Sequence, residues 1–321
     1  MKIKYKAYCE QYPSLTNTEL AKLIKKEHRG EIEKHRSNIR HYRHCNGDKD
    51  KAIVNQEIAC KYKKYHCPDA VETLDYTPIK IEANKVLMLA DIHIPYHSRR
   101  AVETAVNEGK RQDIDAVILS GDQLDCYRLS KFPLEVDHPG FEREISILQE
   151  FLQYLRGIFP NAQIIYKASN HEARYRKYLL KNAPELAAVS TLSLDKILEL
   201  QKYNIKYVPN YNIIRCGNLY YLHGDEIKKC PSKDIPRILF NEWNLNMIFG
   251  HYHTRDSHIH TNPVTREVKG SWTVGCLSDL QPPYKPYNCT FLHGFAITEF
   301  ADHNKFFVQN KLILNEREIH D

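Results

Sequence analysis

The apolar positions of this chain follow two different rhythms. Up to about residue 65 they recur at helical spacing. Leu20, Leu23 and Ile24 form one stripe, and Ile32, Ile39 and Tyr42 form another. Thr16-Asn17-Thr18-Glu19 reads as a capping box at the head of the first stripe. Gly30 separates the two stripes and Asn46-Gly47 ends the second. Residues 66–82 carry two prolines and no clear period, which predicts a linker. From Lys85 onward, short apolar runs alternate with amphipathic stretches. KVLMLADIH, DAVILSGDQLD and AQIIYKASNHE each read as a buried strand that stops in polar residues. SRRAVETAVNEGK and FEREISILQEFLQYLRGIF between them predict helices, the second stopped by Pro160. Beyond about residue 205 the runs are strand-like: IKYV, NIIRCGNLYYLHG, LNMIFGHYH, GSWTVGC, CTFLHGFAITEF and KFFVQNKLIL. This grammar predicts an α/β core of two packed sheets flanked by helices. The expected organisation is a helical module over 1–65, a linker over 66–82 and an α/β domain over 83–321.

Charge sharpens the division. The net charge is +6, but residues 1–70 hold 16 Lys+Arg against 9 Asp+Glu, and the remainder holds 30 against 31. All of the excess positive charge sits in the first fifth of the chain, which points to a polyanionic partner for that segment. Two short helices, the second rich in Arg, Asn and Ser, resemble a helix-turn-helix. On that reading Arg36, Asn38, Arg40 and Arg43 face DNA; the bland alternative is a solvated helix pair serving as tether or oligomerisation element. No apolar run approaches the ~18 residues of a membrane span, so no membrane partner is expected. The nine cysteines are scattered with no CxxC pair, and a reduced, cytoplasmic setting is expected. Oligomeric state is left open.

The chemistry lies where the apolar runs stop: Asp91 and His93; Asp122 and Asp125; Asn170, His171 and Glu172; His223; His251 and His253. In α/β sheets ligands bind outside the carboxyl ends of strands. Each of these stops carries a group able to hold a metal through oxygen or imidazole nitrogen. Residues at i and i+2 of an extended chain share a face, so Asp91/His93 and His251/His253 are each expected to present two donors together. Mixed imidazole, carboxylate and amide donors suit manganese, iron or zinc better than magnesium or calcium.

The ordered set D-x-H (91–93), G-D-x-x-D (121–125), N-H-E (170–172), H (223) and G-H-x-H (250–253) resembles the calcineurin-like metallophosphoesterase superfamily. The resemblance spans roughly 85–300, about two-thirds of the chain. DIHIPYHSRRAVETA, NHEARYRKYL and the stretch from VGCLSDL to GFAITEF resemble a subgroup found in bacterial and bacteriophage genomes. The resemblance implies a four-layer α/β/β/α sandwich. It also implies two divalent ions, with manganese first and iron or zinc as alternatives. One ion would take Asp91, His93, Asp122 and His253; the other Asp122, Asn170, His223 and His251, with Asp122 bridging. It implies that a hydroxide held between ions ~3.5–4 Å apart attacks phosphorus. His171 would then serve the leaving oxygen, with Asp125 orienting it. Arg174, one turn on, would clamp a phosphate or stand as a plain surface arginine. The family usually has glycine before Asn-His-Glu, and here Ser169 stands there. Serine is small enough to be tolerated unless the position needs a positive φ.

Three activities compete: a nuclease or phosphodiesterase acting on DNA; a phosphatase or diesterase of a small nucleotide or phosphoprotein, docked through the N-terminal module; and a non-catalytic DNA-binding protein. The basic N-terminus favours the first, the near-neutral remainder the second, and the complete donor set argues against the third.

Overall fold

The computed structural model describes residues 4–28, 30–44, 70–71, 75–131, 138–227, 233–282, 290–302, 305–315 and 318–320. The chain divides into two units, Met1–Thr73 and Leu74–Asp321.

Among the described residues the first unit has three helices: α1 (Tyr5–Gln11), α2 (Asn17–Glu27) and α3 (32–44). The capping box forms as the sequence implies. Thr16 Oγ1 accepts from Glu19 N at 3.3 Å, and Glu19 Oε2 accepts from Thr16 N at 2.8 Å. Leu20, Ala21, Ile24 and Ile39 are fully buried, with Cys9, Ile32 and Tyr42 against them. Helix α1 went unread because it is one short stretch with no capping side chain. The four residues assigned to DNA are not equivalent. Arg43 is committed to the loop before α2, donating to Leu15 O and Asn17 Oδ1 at 2.9 Å each and to Tyr12 O at 3.3 Å. Asn38 donates to Tyr5 OH and Arg36 to Glu33, while Arg40 stands exposed. The stop at Asn46-Gly47 lies outside the described residues.

The second unit opens with β1 (Ile79–Ile81), which pairs in parallel with β6, so the expected linker ends earlier than residue 82. Three alternating residues are too few to register as a strand in the sequence. Then come β2 (Lys85–Leu89), α4 (Arg99–Arg111), β3 (Ala116–Ser120), α5 (Phe141–Ile158), β4 (Gln163–Lys167), α6 (Ala173–Asn182), α7 (Leu194–Ile197) and β5 (Ile205–Val208). They are followed by β6 (Ile214–Cys216), β7 (Leu219–Leu222), α8 (Ile235–Trp243), β8 (Met247–Phe249), β9 (Asp256–Thr261), β10 (Val268–Thr273), β11 (His293–Asp302), β12 (Lys305–Leu314) and β13 (Glu318–His320). One sheet runs β13-β12-β11-β2-β3-β4-β5 and the other β1-β6-β7-β8-β10-β9.

The central strands are buried on both faces, which explains their unbroken apolar runs. Leu87, Leu89, Val117, Leu119 and Ile164 face Ala101, Val102 and Ala105 of α4 and Leu148, Leu152 and Leu155 of α5. The alternate positions, Val86, Met88, Ala116, Ile118 and Ile165, face Ile214, Tyr221 and Ile248 of the second sheet. The outer face of that sheet, with Leu222, Met247 and Phe249, packs on Ile235 and Leu239 of α8. The result is the expected four-layer α/β/β/α sandwich. Strands β2, β3 and β4 are mutually parallel, as are β7 and β8, and their carboxyl ends meet across the two sheets. Ser120 Oγ, at the end of β3, donates to Leu222 O, at the end of β7, at 2.6 Å.

Candidate metal centre

Every donor-bearing strand end delivers its side chain to one place. Three overlapping groups of donor atoms gather there: Asp91, His93 and His253; His93, Asp122 and His171; and Asp122, His223 and His251. Asp122 Oδ2 is the hub. It lies 3.2 Å from His223 Nε2 and 3.7 Å from Nε2 of both His93 and His171. Asp91 Oδ1 lies 3.1 Å from His253 Nε2, and the Asp91 carboxylate also accepts from His251 N at 2.9 and 3.1 Å.

The rings are set from behind. His223 Nδ1 donates to Ser120 O at 2.8 Å, which turns its Nε2 toward Asp122. His93 Nδ1 lies 2.9 Å from Asp125 Oδ1, which turns its Nε2 inward. Glu226 accepts from His223 N at 3.2 Å and Gly224 N at 2.8 Å, and is itself paired with fully buried Lys167 at 2.5 Å. Burial raises the Glu226 pKa, but Lys167 and His223 override that and hold it at about 2. Gly121 sits at φ +87° with the His223 imidazole where a Cβ would point, so no other residue fits there.

The backbone departs from the expected extended geometry. Asp91 (φ +53°), His93 (+52°), Asp122 (+52°), His251 (+70°) and His253 (+56°) all lie in the left-handed region. The i, i+2 pairs therefore do not share the face of a strand. His251 serves the group around Asp122, and His253 serves the group around Asp91. The two histidines belong to one centre but to its two halves.

Asp125 and His171 are close, though not as expected. The carboxylate of Asp125 is nearer to His93 (2.9 Å) than to His171 Nδ1 (3.4 Å). It is the backbone carbonyl of Asp125 that accepts from His171 Nδ1, at 2.8 Å. Arg174 is no plain surface residue. Its Nη1 donates to the same carbonyl at 2.9 Å, and its Nη2 lies 3.0 Å from His171 Nε2. Burial pulls the His171 pKa down, Asp122 and Asp125 push it up, and the net shift is upward. Burial raises Asp125 too, but His171 and His93 hold it well below the usual carboxylate range. Burial and neighbouring His223 depress His251 to about 4, so its ring is a neutral donor at physiological pH.

Two features went unread in the sequence. Glu172 was seen only as the end of a motif. Its Oε1 accepts from Gln123 N (2.8 Å), Leu124 N (3.1 Å) and Tyr166 OH (3.0 Å), and its Oε2 from Ser169 N (3.1 Å) and Asp122 N (3.3 Å). One carboxylate thus shapes the loop that carries Asp122. Ser169 has no positive φ, so the residue at the usual glycine position is unstrained. Its hydroxyl accepts from Asp122 N at 2.8 Å and lies against both Asp122 Oδ1 and Glu172 Oε2.

The donor set fits divalent cations. His93 Nε2 and His253 Nε2 approach to 3.2 Å, and His223 Nε2 and His251 Nδ1 also to 3.2 Å, each pair aimed at shared space. Asn170 Oδ1 is buried beside them without a hydrogen-bond partner among the described residues. A cation in each half would take these clustered nitrogens and carboxylate oxygens as ligands and would give Asn170 Oδ1 the partner it lacks among the described residues. Asp122 is the carboxylate common to both halves.

No family model and no curated protein matches the chain. Solved structures do. Vacuolar protein sorting 29 from Cryptosporidium parvum is 13% identical over 74% of this chain and 96% of its own, with a TM-score of 0.39. The phosphoesterase Yfce from E. coli is 11% identical over 73% of this chain and 96% of its own, with a TM-score of 0.33. A dimetal phosphatase from Danio rerio is 12% identical over 74% of this chain and 97% of its own, also with a TM-score of 0.33.

Proposed function

We propose that this chain is a dinuclear-metal phosphoester hydrolase, and that its substrate is a phosphodiester of DNA. The observation that carries the hydrolase reading is the convergence of three imidazole Nε2 atoms on Asp122 Oδ2, with Asp91, His251 and His253 completing the donor groups around it. Asp91, His93, Asp122 and His253 would hold one ion; Asp122, Asn170, His223 and His251 the other. Manganese is the first choice, with iron or zinc as alternatives. Such a pair supplies Lewis acidity at the phosphoryl oxygens and an activated water at neutral pH.

The chain's own groups do the rest. His171 stands beside the centre, its Nε2 3.7 Å from Asp122 Oδ2, where it would serve the leaving oxygen. The Asp125 carbonyl fixes its ring. Arg174 places a guanidinium at its edge, with Nη1 held by the Asp125 carbonyl and Nη2 beside His171, so that it would add positive charge next to a bound phosphate. Asp125 orients the His93 ring and Glu226 holds the backbone at His223 and Gly224, neither entering the reaction.

The DNA assignment rests on the basic N-terminal segment, with Arg40 as its exposed arginine on α3 and Arg36 and Asn38 beside it. A second reading, a small nucleotide or phosphoprotein as substrate, draws on the near-neutral charge of the rest of the chain. The test is hydrolysis of bis-p-nitrophenyl phosphate, p-nitrophenyl phosphate, oligonucleotides and plasmid with Mn²⁺, for wild type and His171→Ala. Diester and DNA cleavage reduced at least ~100-fold in the variant is the expected result. Monoester turnover without DNA cleavage selects the second reading. Activity that survives both chelation and His223→Ala refutes the hydrolase assignment.

A further inference from the structure

A cleft of about 810 Å³ opens beside the centre, bounded by Asn170 and His251 at its inner end. One of its walls is α6. Arg174, Lys177 and Lys181 occur at i, i+3 and i+7 on that helix and all line the cleft, so a single stripe of α6 turns three cations toward it. Lys131 adds a fourth, and Asp225 is the one carboxylate in the described lining. The stripe starts at the arginine that touches His171 and runs away from the centre for about 10.5 Å, at ~1.5 Å per residue. One scissile phosphate needs only Arg174. Lys181, about 10.5 Å along the helix, is too far to share it, and Lys177 stands between the two.

Aromatic rings interleave with these cations. Tyr178, between the two lysines, is 45% exposed and lines the cleft, and half-buried Tyr252, edge-on to Phe249 and His251, lines it from the turn between His251 and His253. Backbone-neutralising cations combined with exposed aromatic faces are the grammar of single-strand binding, in which phosphates meet Lys and Arg while bases stack on rings. A duplex keeps its bases stacked on one another and has nothing to offer these tyrosines.

Resting on the phosphoesterase reading for its direction, we propose that the α6 stripe Arg174–Lys177–Lys181, with Tyr178 and Tyr252, holds a single-stranded polynucleotide leading away from the scissile phosphate. The substrate class is then a single-stranded nucleic-acid diester, with the phosphates beyond the reacting one carried by Lys177 and Lys181.

The test separates binding from chemistry. Binding of a short fluorescent single-stranded oligonucleotide to the full chain is measured by anisotropy in EDTA, as DNA and as RNA of one sequence, across a salt series. The variants are Lys177→Glu/Lys181→Glu and Tyr178→Ala, both with exposed positions on α6 and both checked for an unchanged circular-dichroism melt. The charge reversal is expected to weaken binding at least ~10-fold and to reduce the salt slope by about 1.4, the value for two lost single-strand phosphate contacts. Tyr178→Ala is expected to weaken it about 10-fold with the slope unchanged. Tighter binding of DNA than RNA, or the reverse, identifies the source of the strand and supports the proposal either way. Wild-type affinity in the charge-reversed variant overturns it, as does equal affinity for the matching duplex. Hydrolysis of bis-p-nitrophenyl phosphate by wild type with Mn²⁺ is scored separately. If that fails while the binding results hold, the hydrolase reading falls and the strand-binding stripe stands.

Discussion

Glu172→Gln is nearly isosteric and places no new atoms in the core, yet it should cost the larger unit heavily. Each carboxylate oxygen of Glu172 accepts from at least two backbone N–H groups or a Tyr166 hydroxyl in a fully buried setting. An amide has one acceptor and one donor end. Whichever way it turns, its NH₂ faces two backbone donors. If it replaces Oε1, those are Gln123 N and Leu124 N; if it replaces Oε2, Ser169 N and Asp122 N. A buried donor left without an acceptor costs ~1–3 kcal/mol, so two give about 4 kcal/mol. For a unit of this size 1 kcal/mol moves Tm by ~2–4 °C, which makes the expected drop about 10 °C. Because these donors shape the loop of Asp122, divalent-ion affinity should fall ~10–100-fold as well. Differential scanning fluorimetry gives the first number and isothermal titration with Mn²⁺ or Zn²⁺ the second. A Tm within ~2 °C of wild type would mean that the loop holds its shape without the carboxylate, which refutes the role given to Glu172.

Three further outcomes follow from the same geometry. Gly121→Ala drives a Cβ into the His223 ring at a positive φ, so it should destabilise by at least ~2 kcal/mol and abolish high-affinity ion binding, read by melting and titration. Burial raises the Glu144 pKa from 4.5 to about 7, while its carboxylate accepts from Cys126 N and Tyr127 N. The stability tied to its protonated form is therefore complete below pH 4.5 and lost as pH rises through 7; Glu144→Gln should remove about 3 kcal/mol of that pH dependence in urea melts at pH 5 and 8. Ser169→Ala deletes the hydroxyl between Asp122 and Glu172 and should weaken ion binding about 10-fold without abolishing it, whereas an unchanged titration would reduce Ser169 to a spacer.

The site was legible in the sequence to the extent that it lies at strand ends. Runs such as Val86–Ala90 and Val117–Leu119 are buried on both faces, so the first polar residue after each is where the chain leaves the sheet. The local backbone was not legible. Nothing in D-x-H or H-x-H announces a left-handed conformation, because tertiary contacts such as His251 N to Asp91 impose it. The supporting carboxylates were equally hidden. Glu172 and Glu226 look like ordinary polar residues until the fold brings the backbone of 122–124 and the side chain of Lys167 to them. In the N-terminal unit the helical period located the buried face, but it did not show that Arg43 turns back onto Leu15 and Asn17. On α6 the sequence singles out Arg174 alone; Lys177 and Lys181 acquire meaning only because the helix walls the cleft.

The left-handed residues of the centre carry one more consequence. Five of the seven candidate ligand positions, Asp91, His93, Asp122, His251 and His253, hold a conformation that disfavours a side chain by ~1–2 kcal/mol each. Glycine would relieve that penalty at every one of them, and would remove the donor. Selection for thermal stability alone would therefore drift toward a tougher protein with an empty, inert mouth. Heat-resistant variants selected without an activity requirement should accumulate their first glycines here.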